Sequence, residues 1–120
     1  MTTTRETGDE GERIALEHLR GKGYLILETQ WRWGRNEIDI IARKDGLVCF
    51  VEVKYRKGNF GVAPWQAVNR AKQRAILFAA NGYLRYKIDF DAEARFDIVS
   101  IVERDGQVEI EHIESAFYAM

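Results

Sequence analysis

Several things are scarce in this chain, and each scarcity removes a class of explanation. Of the 120 residues only one, Cys49, is cysteine, so no intrachain disulfide can form. Cys49 lies in an apolar run and reads as a buried structural thiol rather than a nucleophile. The two histidines, His18 and His112, have no Cys or His partner at zinc spacing and read as non-ligands. No apolar run approaches the roughly 20 residues that span a bilayer. The polar, acidic opening from Met1 to Glu12 lacks the apolar stretch of a signal peptide. A cytoplasmic location without membrane contact is therefore expected. No glycine-rich phosphate motif follows a strand, which argues against a dinucleotide fold and a P-loop.

What is present fits one soluble domain over residues 1–120. Hydrophobic residues make up 46% and charged residues 31%, enough for a real core beneath a charged surface. The net charge of -1 argues weakly against nucleic acid, but its distribution argues the other way. Between Val53 and Ile88 there are eight Lys or Arg residues and no Asp or Glu; the rest of the chain carries all 19 acids against ten bases. Such segregation makes either a phosphate-binding surface or a solvated basic helix.

The element order reads α-β-β-β-α-β-β, an α/β fold with a sheet flanked by helices. A helix is predicted from about Gly8 to Arg20, ended by Gly21 and Gly23. Strands follow at Tyr24–Trp31, Glu37–Arg43 and Leu47–Lys54, with Arg32–Asn36 a polar connection and Asp45-Gly46 a turn. Tyr55–Ala63 reads as a loop. Pro64, the only proline, suits the first turn of a helix that continues to about Ala80, where Asn81-Gly82 ends or interrupts it. Tyr83–Ala94 is ambiguous. Arg95–Glu103 and Gln107–Ile113 are two more strands around Arg104-Asp105-Gly106, and the tail from Ser115 reads as a short turn or helix.

The chemistry centres on the hairpin from Glu37 to Lys54. With Asp45-Gly46 as a two-residue turn, Lys44 pairs with Leu47, and counting back sets Asp39 opposite Glu52 and Glu37 opposite Lys54. Opposed residues share a face, with Cβ atoms roughly 4.5–5.5 Å apart. Two carboxylates on a half-buried face repel unless something compensates. Mg²⁺ compensates well, because it accepts oxygen ligands and keeps several waters. Asp39 and Glu52 are the expected metal ligands, with the Val53 carbonyl as a third oxygen. Such a metal polarises a phosphoryl oxygen and acidifies water. Lys54, on the same face as Glu52, orients that water or neutralises phosphate charge. A plain Asp39/Glu52/Lys54 salt-bridge cluster is the competing reading.

Both helices carry a charge on their apolar sides. Glu12 falls within the stripe of Ala15, Leu16 and Leu19, where a carboxylate is costly unless paired. It is either solvated at the helix start or a fourth polar group at the site, holding a water or acting as general base. Lys72 projects among Trp65, Val68, Ala75, Ile76 and Ala79. It either snorkels outward or reaches substrate phosphate, with Arg56 and Arg74 as further phosphate contacts. Trp31, Trp33 and Trp65 are candidates for base stacking, with Trp65 better suited to the core.

The ordered set Glu12, Glu37-Ile38-Asp39 and Val51-Glu52-Val53-Lys54 resembles the restriction-endonuclease-like PD-(D/E)XK superfamily. Over nearly the whole chain it resembles the YraN-like family of small bacterial proteins. The matching stretches include Gly11-Glu12, Gly23-Tyr24, Trp31-Arg32, Phe50 to Lys54, Lys72-Gln73, Arg95-Phe96-Asp97, His112-Ile113 and Ala116-Phe117. The chain is also similar to the archaeal Holliday-junction resolvases, which share a helix-one Glu followed by Asp and Glu-x-Lys. The resemblance implies a mixed central sheet with a helix on each side. It implies Mg²⁺ or Mn²⁺ at Asp39 and Glu52, assistance from Lys54, and Glu12 completing a catalytic set that cuts DNA, with branched or repair intermediates as substrates and a homodimer acting on two strands. Ile38 stands where the superfamily label has proline, and Asn36 where the closer family usually has Gly. The alternative functions are a nucleic-acid-binding module that keeps the fold without cutting and a protein-interaction domain.

Overall fold

The computed structural model describes residues 4–58, 68–87 and 92–118, with side chains from Asp9 onward. Its elements are α1 (Thr4–Gly21), β1 (Leu25–Trp33), β2 (Asn36–Lys44), β3 (Leu47–Lys57), α2 (Arg70–Tyr86), β4 (Glu93–Arg104) and β5 (Gln107–Phe117). This is the α-β-β-β-α-β-β order that the sequence predicts. The strands form one sheet in the order β1-β2-β3-β4-β5. All neighbours are antiparallel except β3 and β4. That parallel pair is separated in the chain by α2, as a parallel connection requires.

The sheet has a core on each face. On one side α1 contributes Ala15 and Leu19 against Ile40, Ala42, Cys49, Val51, Val99 and Ile101. On the other α2 contributes Ile76, Ala79, Ala80 and Tyr83 against Ile38, Ile41, Val48, Phe50, Phe96 and Ile98. Central strands covered on both faces read as near-continuous apolar runs, which is why Val48 to Val51 and Ile98 to Ile101 are wholly buried. Among the described residues no helix is long and apolar enough to cross a membrane.

Two hairpins turn on Asp-Gly pairs. Lys44 pairs with Leu47 around Asp45-Gly46, and Arg104 with Gln107 around Asp105-Gly106. Asp45 and Asp105 have φ of 55° and 50°, the left-handed geometry that this turn demands and Asp tolerates.

Several predicted boundaries move. β3 runs on to Lys57, so Tyr55, Arg56 and Lys57 belong to the sheet. β1 and β2 extend to Trp33 and from Asn36, reducing the predicted connection to a turn at Gly34-Arg35. α2 begins after the cap Asn69, whose side chain accepts from the Lys72 N–H. Pro64 and Trp65 lie outside the described residues, and Val68 precedes the helix rather than belonging to it. The helix also passes through Asn81-Gly82 instead of stopping there. Gly82 is a packing glycine: a Cβ there would come within 2.5 Å of the Trp33 indole. The predicted turn or helix at Ser115 is a continuation of β5. Ser115, at φ 52°, marks an irregularity in that strand, and its N–H is taken by the Asp97 carboxylate.

Candidate functional site

The expected hairpin register holds from Lys44↔Leu47 to Ile40↔Val51 and then stops. Asp39 and Glu52 are the next residues, and they do not form a ladder pair. Side-chain alternation in β2 also breaks at this point. Ile38 and Ile41 both enter the core under α2, whereas Ile40 enters the core under α1. Strict alternation would place Ile38 and Ile41 on opposite faces, so β2 rotates at Asp39. The Asp39 carboxylate fills the gap in the ladder: its Oδ2 accepts the Val53 N–H at 2.8 Å. An extended residue directs its N–H and C=O toward the same neighbouring strand, so the Val53 carbonyl also leaves β3 on the Asp39 side.

Glu52 lies two residues beyond Phe50 and shares its face, beneath α2. Its side chain is 5% exposed. Lys72 from α2 stands 3.6 Å from Oε1 and Lys54 stands 3.9 Å from the same atom. The other oxygen, Oε2, is buried with no hydrogen-bond partner. Buried polar atoms are rarely left in that condition. Burial, and then the charge of Asp39, push the Glu52 carboxyl up to about 7 against the pull of the two lysines. Burial likewise raises Asp39, opposed by the Val53 N–H and by Lys72. The two carboxylates therefore share one electrostatic site, with both lysines on one oxygen of Glu52 and no donor on the other.

Glu12 approaches from the opposite side. α1 packs on the other face of the sheet, so the expectation that one face receives Asp39, Glu52 and Glu12 together is corrected. Glu12 Oε2 accepts from Gln30 Nε2 at 2.9 Å. Gln30 has φ of 47°. It sits in β1 between the pairs Thr29↔Ile40 and Trp31↔Ile38, level with Asp39. Burial raises the Glu12 carboxyl, and the charges of Asp39, Asp9 and Glu37 add to the rise. Glu12 and Glu52 thus meet the Asp39 gap from the two faces of the sheet. Glu37 does not pair with Lys54; its carboxylate stands 3.3 Å from Arg32.

Of the predicted phosphate contacts, the fold brings Lys72 to the site and leaves Arg74 away from it. Arg74 is exposed and, two residues on, is turned about 200° round the helix from Lys72. Arg56 is half-buried on β3, two residues beyond Lys54. Cys49 is buried, and its thiol is pushed up to about 11, first by desolvation.

Sequence reasoning missed Gln30 and a second polar cluster. Asp97, fully buried on β4, accepts from Arg95 Nε and Nη2 at 2.9 and 2.7 Å and from the Ser115 N–H at 3.0 Å; the His112 ring lies 2.8 Å from it. Arg95 also donates to the Tyr24 hydroxyl. The available signal was an Asp within the apolar run from Phe96 to Ile101, two residues from an Arg on the same face.

The fold and site together define an α/β protein whose mixed sheet parts between two central strands over a buried, under-satisfied carboxylate pair flanked by lysines. Residues 11–101 match the model of the Uncharacterised protein family UPF0102, and the chain belongs to that family, with which the YraN-like resemblance is consistent. It is 42% identical over 119 residues to the UPF0102 protein of Parabacteroides distasonis, spanning 99% of this chain and 98% of that one. Identity is 45% over 114 residues with the UPF0102 protein of Geotalea uraniireducens, covering 94% and 90%. It is 41% over 119 residues with UPF0102 protein FP2501 of Flavobacterium psychrophilum, covering 98% of each.

Proposed function

We propose that the chain is a divalent-metal-dependent endonuclease that hydrolyses phosphodiester bonds in DNA. The observation that carries this reading is the orphaned Oε2 of Glu52, buried beside the charge of Asp39. An oxygen in that position needs a cation or a proton. Among the described residues no three His, Cys, Asp or Glu side chains form one ligand set. Two carboxylates with the Val53 carbonyl nevertheless suit Mg²⁺ or Mn²⁺, which take oxygen ligands and retain water and substrate phosphate. When bound, the cation supplies charge neutralisation at the phosphoryl group and acidifies water.

The protein's own groups divide the remaining work. Lys54 and Lys72 neutralise charge building on the phosphoryl oxygens. Glu12, its carboxyl raised by burial and held in place by Gln30, is the base that takes a proton from the attacking water on the α1 side. Water adds across a P–O bond, and the leaving oxygen departs with a proton. The resemblance to junction resolvases favours branched or repair intermediates and a homodimer.

The test is a cleavage panel of linear, flap and four-way DNAs with Mn²⁺, comparing wild type with Asp39→Ala. Cutting by wild type and its loss in the variant support the reading. Equal, trace cutting by both proteins points to a contaminant and removes it.

A further inference from the structure

The face of the sheet beneath α2 carries an aromatic strip that the carboxylate site does not use. Trp31 and Trp33 stack with centroids 5.7 Å apart and planes inclined by 14°. Trp33 in turn stacks on Tyr86 at 5.1 Å and 28°. Gly82 is what lets the Trp33 indole lie against α2. Phe78 and Tyr86 sit one turn to either side of it, 61% and 67% exposed. Singly exposed aromatics are ordinary, but aromatics gathered along one line with a stacked indole make a contiguous apolar surface of the kind that marks an interaction site.

The charge at the exposed end of the strip is mostly positive, whereas Glu28 accepts from the Tyr83 hydroxyl at its inner end and Glu37 is paired with Arg32. Helix α2 contains no Asp or Glu. Arg85 and Lys87 are exposed beside Tyr86, and Arg35 is exposed in the turn next to Trp33. Two copies of this chain joined symmetrically across the strip would set these cations against themselves. A polyanion complements them. Trp33 pairs with Asn36, three residues along β2 from Asp39, or about 10 Å at the rise of a strand. The strip and Glu52 share the face of the sheet that α2 covers.

We infer that Trp33, Tyr86 and Phe78 form a stacking shelf for unpaired bases of a DNA strand whose backbone runs on to the Asp39–Glu52 site. The inference deepens the nuclease reading, on which the choice of DNA rests. Aromatic side chains stack on any base face, so the shelf distinguishes an unpaired strand from a duplex, whose bases are already stacked, without reading sequence. Arg35, Arg85 and Lys87 contact the phosphates. The substrate class it selects is DNA with a single-stranded arm, such as a flap or an overhang.

Fluorescence anisotropy tests this with a fluorescein-labelled oligothymidylate and a blunt duplex of equal length, in EDTA so that binding is separated from cutting. Tyr86→Ala should weaken oligothymidylate binding about tenfold, from the usual effect of one lost stack, and leave the duplex within about twofold. Tyr86→Phe keeps the ring and should match wild type. Tyr86 is two-thirds exposed, so a thermal melt is expected to confirm an intact fold; Phe78→Ala provides a second variant. Unchanged oligothymidylate binding in both alanine variants overturns the shelf. So does an equal loss for the duplex, absence of oligothymidylate binding by wild type, or a dimer that Tyr86→Ala dissolves while oligothymidylate affinity stays constant. A wild type that binds the oligonucleotide but cuts nothing with Mn²⁺ ends the nuclease reading and leaves the shelf. A wild type that cuts, with both alanine variants binding normally, ends the shelf alone.

Discussion

Two buried carboxylate clusters lie within this one small sheet, and they are built on opposite principles. Asp97 is surrounded by donors: Arg95, His112 and the Ser115 N–H all reach it. Burial alone would raise its carboxyl, yet these hydrogen bonds outweigh burial and hold it below the ordinary value. Glu52 is as deeply placed but has only two lysines at 3.6 and 3.9 Å, both on one oxygen, and its carboxyl rises to about 7. The first cluster is complete as it stands. The second leaves one carboxylate oxygen without a hydrogen-bond partner. A protein able to satisfy Asp97 so fully has left Glu52 unsatisfied at the place where β2 and β3 part, and that contrast is the ground for the proposed ligand site at Glu52.

The comparison breaks most sharply at Asp97. Asp97→Ala strands the guanidinium of Arg95, whose side chain is 18% exposed, and should cost about 3–5 kcal/mol in urea unfolding, as removal of one partner from a buried pair does. A loss below about 1 kcal/mol would erase the distinction between the clusters.

Glu52 should respond in the opposite direction. Its folded carboxyl is raised, so the folded chain holds a proton that the unfolded chain has already released. In EDTA, stability is therefore full below about pH 4.5 with respect to this group and declines as pH rises through about 7. Glu52→Gln removes the buried charge and should gain on the order of 2–3 kcal/mol at pH 8, flattening the profile measured by thermal melts between pH 5 and 8. A variant that melts lower than wild type at pH 8 contradicts an under-satisfied site.

Mn²⁺ should replace what the mutation supplies. At a concentration about 100-fold above its Kd it should stabilise wild type by about 2.7 kcal/mol, and Asp39→Asn should lose that response. The smallest effect belongs to Lys54→Ala. Its side chain is 30% exposed and Lys72 remains beside Glu52, so stability in EDTA should fall by about 1 kcal/mol or less. Mn²⁺ affinity should hold or rise in calorimetric titration while any cleavage falls. A fall in Mn²⁺ affinity would make Lys54 part of the ligand geometry rather than a neighbouring charge.

Much of this was legible in the chain because strand parity and Asp-Gly turns are local rules. They fixed the element order, the hairpin from Lys44↔Leu47 to Ile40↔Val51, and Glu52 and Lys54 on one face. They fail where local rules are suspended. Nothing in the residues Ile38-Asp39-Ile40 announces that β2 rotates there, and a left-handed Gln30 in a strand carries no sequence signature. Helix periodicity placed Glu12 on the core side of α1 but could not say which face of the sheet that core belonged to. Gly82 misled for a related reason, since a glycine that ends a helix and one that admits a tryptophan look alike until Trp33 is in place. The Asp97 cluster joins Tyr24, just before β1, to residues of β4 and β5 that only the folded sheet brings together.

The hydrogen bond from Val53 to Asp39 has a consequence for measurement. A side chain here occupies the position a main-chain carbonyl holds elsewhere in the ladder, so a single amide proton is coupled to the ionic state of Asp39. Deuterium would replace that proton slowly while the carboxylate is charged and faster once protonation weakens the bond. Its nuclear resonance would move with each change of charge or ligand at the oxygen. The chain thus carries an intrinsic spectroscopic probe at its candidate centre, readable in the unlabelled wild-type sequence before any substrate is known.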